Sequence, residues 1–104
     1  MAKLQLIYVP GLGDMKVTAQ RRTVRTWQWW GVGSEVFLVN WTDDEPWAGK
    51  LQRLLDRIDE LHAQGRAVAL VGASAGAAAA INAFTARKAV ITGVVCIAGK
   101  VNHP

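Results

Sequence analysis

Apolar residues along the chain fall into two kinds of run. Four are short and nearly continuous: Leu4 to Val9, residues 35–40 around Val36-Phe37-Leu38-Val39, residues 67–73, and residues 90–98. Runs of this length, rich in Val, Ile and Leu and bounded by Gly or Pro, predict strands. Between them the spacing changes. Trp47, Leu51, Leu54, Leu55, Ile58 and Leu61 recur at three- and four-residue intervals up to Gly65, which predicts an amphipathic helix ended by a glycine. A weaker pattern over 17–30 places Val17, Val24 and Trp27 on one side and Arg21, Arg22 and Arg25 mostly on the other, with Gly31 and Gly33 closing it. A third helix is predicted from the alanines after Ser74 to about Arg87.

Strands that alternate with helices and are apolar on nearly every residue belong to a parallel sheet covered on both faces. The expectation is an α/β fold: three α/β/α layers around a four-stranded parallel sheet in the order 2-1-3-4. Residues 1–104 form a single domain, with no internal repeat or linker. Ligands of such sheets sit beyond the carboxyl ends of the strands, where the strand order reverses. Here that is between strands one and three.

Two unusual turns meet at that point. Pro10-Gly11-Leu12-Gly13-Asp14 breaks the first strand, and Gly72-Ala73-Ser74-Ala75-Gly76 lies between the third strand and its helix. A strand that turns sharply into a helix lifts a serine hydroxyl above the sheet, with glycines where side chains would collide. The alternative is a close-packed strand-to-helix turn with an incidental serine.

With these two motifs the chain resembles the N-terminal half of an α/β-hydrolase core, and the likeness in element order extends over the whole sequence. It implies a serine hydrolase acting on an ester, thioester or amide, with a small acyl substrate and no cofactor or metal. Carried over residue by residue, Ser74 is the nucleophile, and the backbone N–H groups of Leu12 and Ala75 hold the oxyanion. Gly11 and Gly13 let the backbone approach the substrate. Pro10 stands where many members have a histidine, which leaves a main-chain donor at Leu12 unaffected. Trp41, which follows the second strand at the same end of the sheet, is a candidate wall of the acyl pocket or a packing anchor.

A serine hydroxyl needs a base to take its proton and a partner to orient that base. The family places its acid and then its histidine after the serine, whereas Glu60 is the last carboxylate side chain here and only His103 follows Ser74. His103 comes too early to match the family's histidine and reads as a stray terminal residue. His62, beside Leu61, reads as a helix histidine with some exposure. The resemblance therefore implies a truncated α/β-hydrolase core, either a fragment or a shortened relative with a different chemistry, weakly active or inactive alone. Its fourth strand, 90–98, would then be an apolar sheet edge, open to a second copy or to a missing C-terminal half.

Composition narrows the alternatives. With 51% hydrophobic residues the chain can bury a core unaided. The net charge of +4 invites nucleic acid, but the cations are dispersed, and Lys50, Arg53 and Arg57 alternate with Asp56, Asp59 and Glu60 as on a solvated helix face. No nucleic-acid partner is expected. Gly11-Leu12-Gly13 raises a Rossmann-like nucleotide or phosphate site; Lys16 occupies the third glycine's place, Asn40 rather than an acid ends the second strand, and no P-loop Gly-Lys-Ser/Thr follows. The single Cys96 lies in an apolar run, reads as a small buried thiol, and makes the cytoplasm the natural compartment. No apolar run reaches the ~20 residues that span a bilayer. Trp27, Trp29, Trp30 and Trp47 read as helix residues covering the sheet.

Overall fold

The structure is a computed structural model, and it describes residues 3–11, 25, 33–73 and 75–97. The elements are β1 (Leu4–Val9), β2 (Gly33–Val36), α1 (Trp47–Ala63), β3 (Ala67–Ala73), α2 (Ala75–Ala86) and β4 (Ile91–Ile97). The four strands form one sheet in the order β2-β1-β3-β4, and every neighbouring pair is parallel. This is the order expected for the fold. The helix expected over 17–30 lies outside the described residues, apart from Arg25, which is helical and exposed.

Both α1 and α2 pack on one face of the sheet. Leu54, Leu55, Ile58 and Leu61 of α1 and Ala79, Ala80 and Ala83 of α2 share one core with Ile7, Val9, Val68, Leu70 and Ile91. The small side chains of α2 suit this position, because they let its backbone lie close to the sheet. On the other face Tyr8, Val71 and Ala73 are buried together against Val36, so the centre of the sheet is dry on both sides. That is why β1 and β3 read as continuous apolar runs rather than as an alternation.

Chain breakers set the ends of α1. Pro46 caps its start at φ −62°, a value its ring imposes. At the other end Gly65 adopts φ +79°. Its N–H donates to the His62 carbonyl at 2.9 Å, and the Arg66 N–H donates to that of Leu61 at 3.0 Å. A residue with a side chain would be strained in that left-handed turn.

The second strand departs from expectation. It runs over Gly33–Val36 instead of 35–40, so that Gly33 is its first residue. Proline explains the early end. The Phe37 N–H still donates to the Tyr8 carbonyl at 2.9 Å, and the next rung of a parallel ladder would need an N–H from residue 10. Pro10 has none, so the ladder stops and residues 37–46 leave the sheet. Gly33 lies opposite Gln5 in register, where a Cβ would meet the Gln5 amide oxygen.

That amide joins a half-buried polar chain the apolar pattern did not signal. Gln5 Nε2 donates to Glu35 Oε1 at 2.9 Å, and Arg66 Nη1 donates to Gln5 Oε1 at 2.9 Å. Arg57 grips Glu35 through Nε and Nη2, at 2.7 and 2.8 Å, and also pairs with Glu60.

Candidate active site

The carboxyl ends of the strands are level. Tyr8 is in register with Val36, Val9 with Gly72, and Ala73 with Ile97. The segments that follow β1, β2 and β3 therefore leave the sheet along one edge, with β1 and β3 adjacent where the strand order reverses.

β3 ends at Ala73 and α2 begins at Ala75, so a single position separates strand from helix. The two flanking glycines are sterically required. A Cβ on Gly72 would lie 2.5 Å from the Gly76 carbonyl oxygen and 2.7 Å from the Ala77 Cα, because the helix folds straight back over the strand's last residues. A Cβ on Gly76 would strike the Val9 carbonyl and lie 2.7 Å from the Pro10 oxygen. The first turn of α2 is thus pressed directly onto the end of β1, and Pro10 and Gly11 are buried beside it. Of the two distant turns, the described parts, Pro10 and Gly11 in one and Gly76 in the other, come together.

Of the expected site residues, Ser74, Leu12 and Gly13 lie outside the described residues, as does His103. Gly11 and Ala75 are at the junction, the first buried and the second half-buried. Trp41 also reaches it: its indole Nε1–H donates to the Pro10 carbonyl at 2.7 Å, and its ring packs against the main core. The ring is 5.3 Å from that of Trp47, at a tilt of 31°, and Lys50 Nζ sits 5.8 Å from its centroid.

Lys50 corrects an expectation. Instead of standing on a solvated face it is only 3% exposed, and its ammonium pairs with Asp43 at 2.8 Å. The loop after β2 curls over α1, which encloses a side chain that the helical period alone would leave in water. This pairing, a hydrogen bond first of all, holds the Asp43 carboxyl below its ordinary range. Arg53 does the same for Glu45, through contacts at 2.7 and 3.0 Å. Asp43 and Glu45 are thus ion-pair partners, and no side chain of this loop caps α1 by a hydrogen bond. Trp47 differs as well: it is 42% exposed at the start of α1 and leans on Trp41.

Elsewhere, a groove of about 470 Å³ runs between β2 and α1, lined by residues that include Phe37, Leu38, Arg53 and Arg57. Its arginines are already paired, Arg53 with Glu45 and Arg57 with Glu35 and Glu60, and Asp56 accepts a hydrogen bond from the Gln52 amide. His62 is exposed on α1, away from the buried junction. Among the described residues no group of three His, Cys, Asp or Glu side chains could hold a metal ion, and no helix is long and apolar enough to cross a membrane.

Comparison with protein-family models, curated proteins and solved structures finds no match for this chain.

Proposed function

We propose that the chain is a serine hydrolase of the α/β-hydrolase type, acting on an ester, thioester or amide through Ser74. The observation that carries this reading is the junction itself. A one-residue strand-to-helix turn, glycine on both sides by steric necessity, is pressed against the backbone that leaves β1 at the point where the strand order reverses. A structural turn needs glycines at 72 and 76, but it does not need a hydroxyl between them. In this reading Ser74 Oγ attacks the acyl carbon, and the carbonyl oxygen, as it gains charge, is held by the N–H of Ala75 and by that of Leu12. The positive end of the α2 dipole favours the same charge. No Asp or Glu follows Glu60 in residues 1–104, so these residues supply no acid at the place where the family puts it.

The test is a fluorophosphonate probe, which reacts with an activated serine and stays attached. Slow stoichiometric labelling of the wild-type protein that disappears in Ser74→Ala supports the reading. Equal labelling of both proteins, or none of either, overturns it.

A second reading, association, is favoured by β4. This strand lies at the sheet edge, carries no charge, and leaves Val95 58% exposed. Its sequence Ile-Thr-Gly-Val-Val-Cys-Ile holds no charged residue, so a second copy could pair antiparallel about Val94 without setting like charges opposite each other. Sedimentation that stays monomeric up to millimolar protein would remove this reading.

A further inference from the structure

We propose that two copies of this chain join about a two-fold axis at Val94, with their β4 strands paired antiparallel and their α2 helices packed flank to flank through Ala77, Ile81 and Phe84; the inference rests on the association reading of β4. The helix α2 points to it. A helix at the surface carries polar residues on its outer side, as α1 does with Gln52, Arg53, Asp56, Asp59 and Glu60. From Ala75 to Ala86, by contrast, α2 has no charged residue, and Ile81 stands 53% exposed. Its exposed polar side chains are spent on their own backbone: Asn82 Nδ2 donates to the Ala78 carbonyl at 2.8 Å, and Thr85 Oγ1 to that of Ile81 at 3.1 Å. On β4 the Thr92 hydroxyl likewise turns inward and donates to the Val68 carbonyl at 3.1 Å. A partner here therefore meets apolar side chains and the backbone of β4.

The layout makes this patch its own complement. The helix α2 packs over β3 and β4 and links two parallel strands, so it runs antiparallel to them. Its middle, at Ile81, is thus level with the middle of β4, at Val94. In a right-handed β3-α2-β4 unit the row Ala77, Ile81 and Phe84 lies on the side of the helix toward β4. Both Phe84 and Val94 are only partly buried where they pack against the main core. A second β4 at the usual strand spacing brings the two α2 axes two spacings apart, about 10 Å, and helices pack at that distance. The two-fold then sets Ile81 against Ile81 of the second copy, and Ala77, near the start of α2, against Phe84, near its end. Small meets large, and neither the strand nor the helix has a charge to repel its like. A different protein would need polar features to select it, and these are already engaged within the chain.

The experiment is sedimentation equilibrium of the full chain. One strand and one helix row make a small interface, so a monomer–dimer equilibrium in the micromolar range is expected. Ile81→Glu, at an exposed position, sets two carboxylates against each other across the axis. It should raise the dissociation constant at least about tenfold, with the circular dichroism of the fold unchanged. A folded Ile81→Glu that dimerises as tightly as wild type overturns the helix contact and leaves the β4 association intact; a wild-type chain that stays monomeric up to millimolar protein overturns both. Species larger than a dimer overturn the closed two-fold. Should Ile81→Glu not fold, cross-linking decides. Ile81→Cys in a Cys96→Ser protein should give covalent dimers on mild oxidation, and a sample that sediments as a dimer yet forms none overturns the proposal.

Discussion

Gly76 lies so close to the Val9 carbonyl that no side chain fits between them. The contact joins the first turn of α2 to the end of β1, and backbone is on both sides of it. Neither side can swing away as a flexible side chain would, so Gly76→Ala must shift a strand or a helix. Overpacking of this kind costs about 3 kcal/mol. Gly93 is the control: nothing lies within 4 Å of a Cβ placed there. Gly93→Ala should stay within about 1 kcal/mol of wild type, and urea unfolding of the two variants separates them.

Lys50 and Asp43 form a pair of unequal burial, the ammonium enclosed and the carboxylate 41% exposed. Removing the carboxylate strands a cation, while removing the cation leaves a carboxylate that water can solvate. Asp43→Asn should therefore lower the thermal midpoint clearly. Lys50→Met, which fills the same space without charge, should stay within about 1 kcal/mol of wild type. If the two variants lose equal stability, Lys50 is not desolvated in solution.

The acid limb of the stability curve follows from three carboxylates. Lys50 lowers Asp43, Arg53 lowers Glu45 and Arg87 lowers Asp59, in each case chiefly by a hydrogen bond. Their folded-state pKa values lie below the ordinary 3.8 for aspartate and 4.5 for glutamate. Each contribution is thus fully present above those values and is lost as pH falls through the folded ones. Arg53 and Arg87 are shifted upward and stay charged throughout. Urea midpoints should be level from pH 7 to about 5 and fall below about 4.5. Glu45→Gln should flatten that fall, and added salt should weaken it, because these pairs are near the surface.

The strands β1 and β3 and the glycine requirement at 72 and 76 were legible in the sequence because both rest on local rules. Apolar runs bounded by breakers mark β1 and β3 within their own residues, and a strand-to-helix turn declares itself by small residues at fixed spacing. What escaped depends on partners far along the chain. The end of β2 is set by the missing N–H of Pro10, on another strand. Burial of Lys50 is set by a loop that curls over its helix, and Gln5 is buried because Arg66 and Glu35 reach it. For Trp41, position in the sequence placed it at the right end of the sheet, and nothing in the spacing pointed to its bond with Pro10.

Cys96 illustrates the same limit and gives the final prediction. Its apolar neighbours argue for a buried thiol, yet the side chain is exposed. Two features account for this: β4 is the sheet's edge, and the residue in register with Cys96 on β3 is Gly72, which offers no side chain to cover it. Run composition cannot report either one, because both are properties of the neighbouring strand. In the native protein Cys96 should react with a soluble disulfide reagent at micromolar concentration, to completion and without denaturant. Were β4 to pair with a second copy, the same reaction would slow as protein concentration rises, because antiparallel pairing about Val94 sets Cys96 opposite Thr92 of the other strand. A thiol that reacts only after unfolding would restore the buried reading and place other residues over this edge.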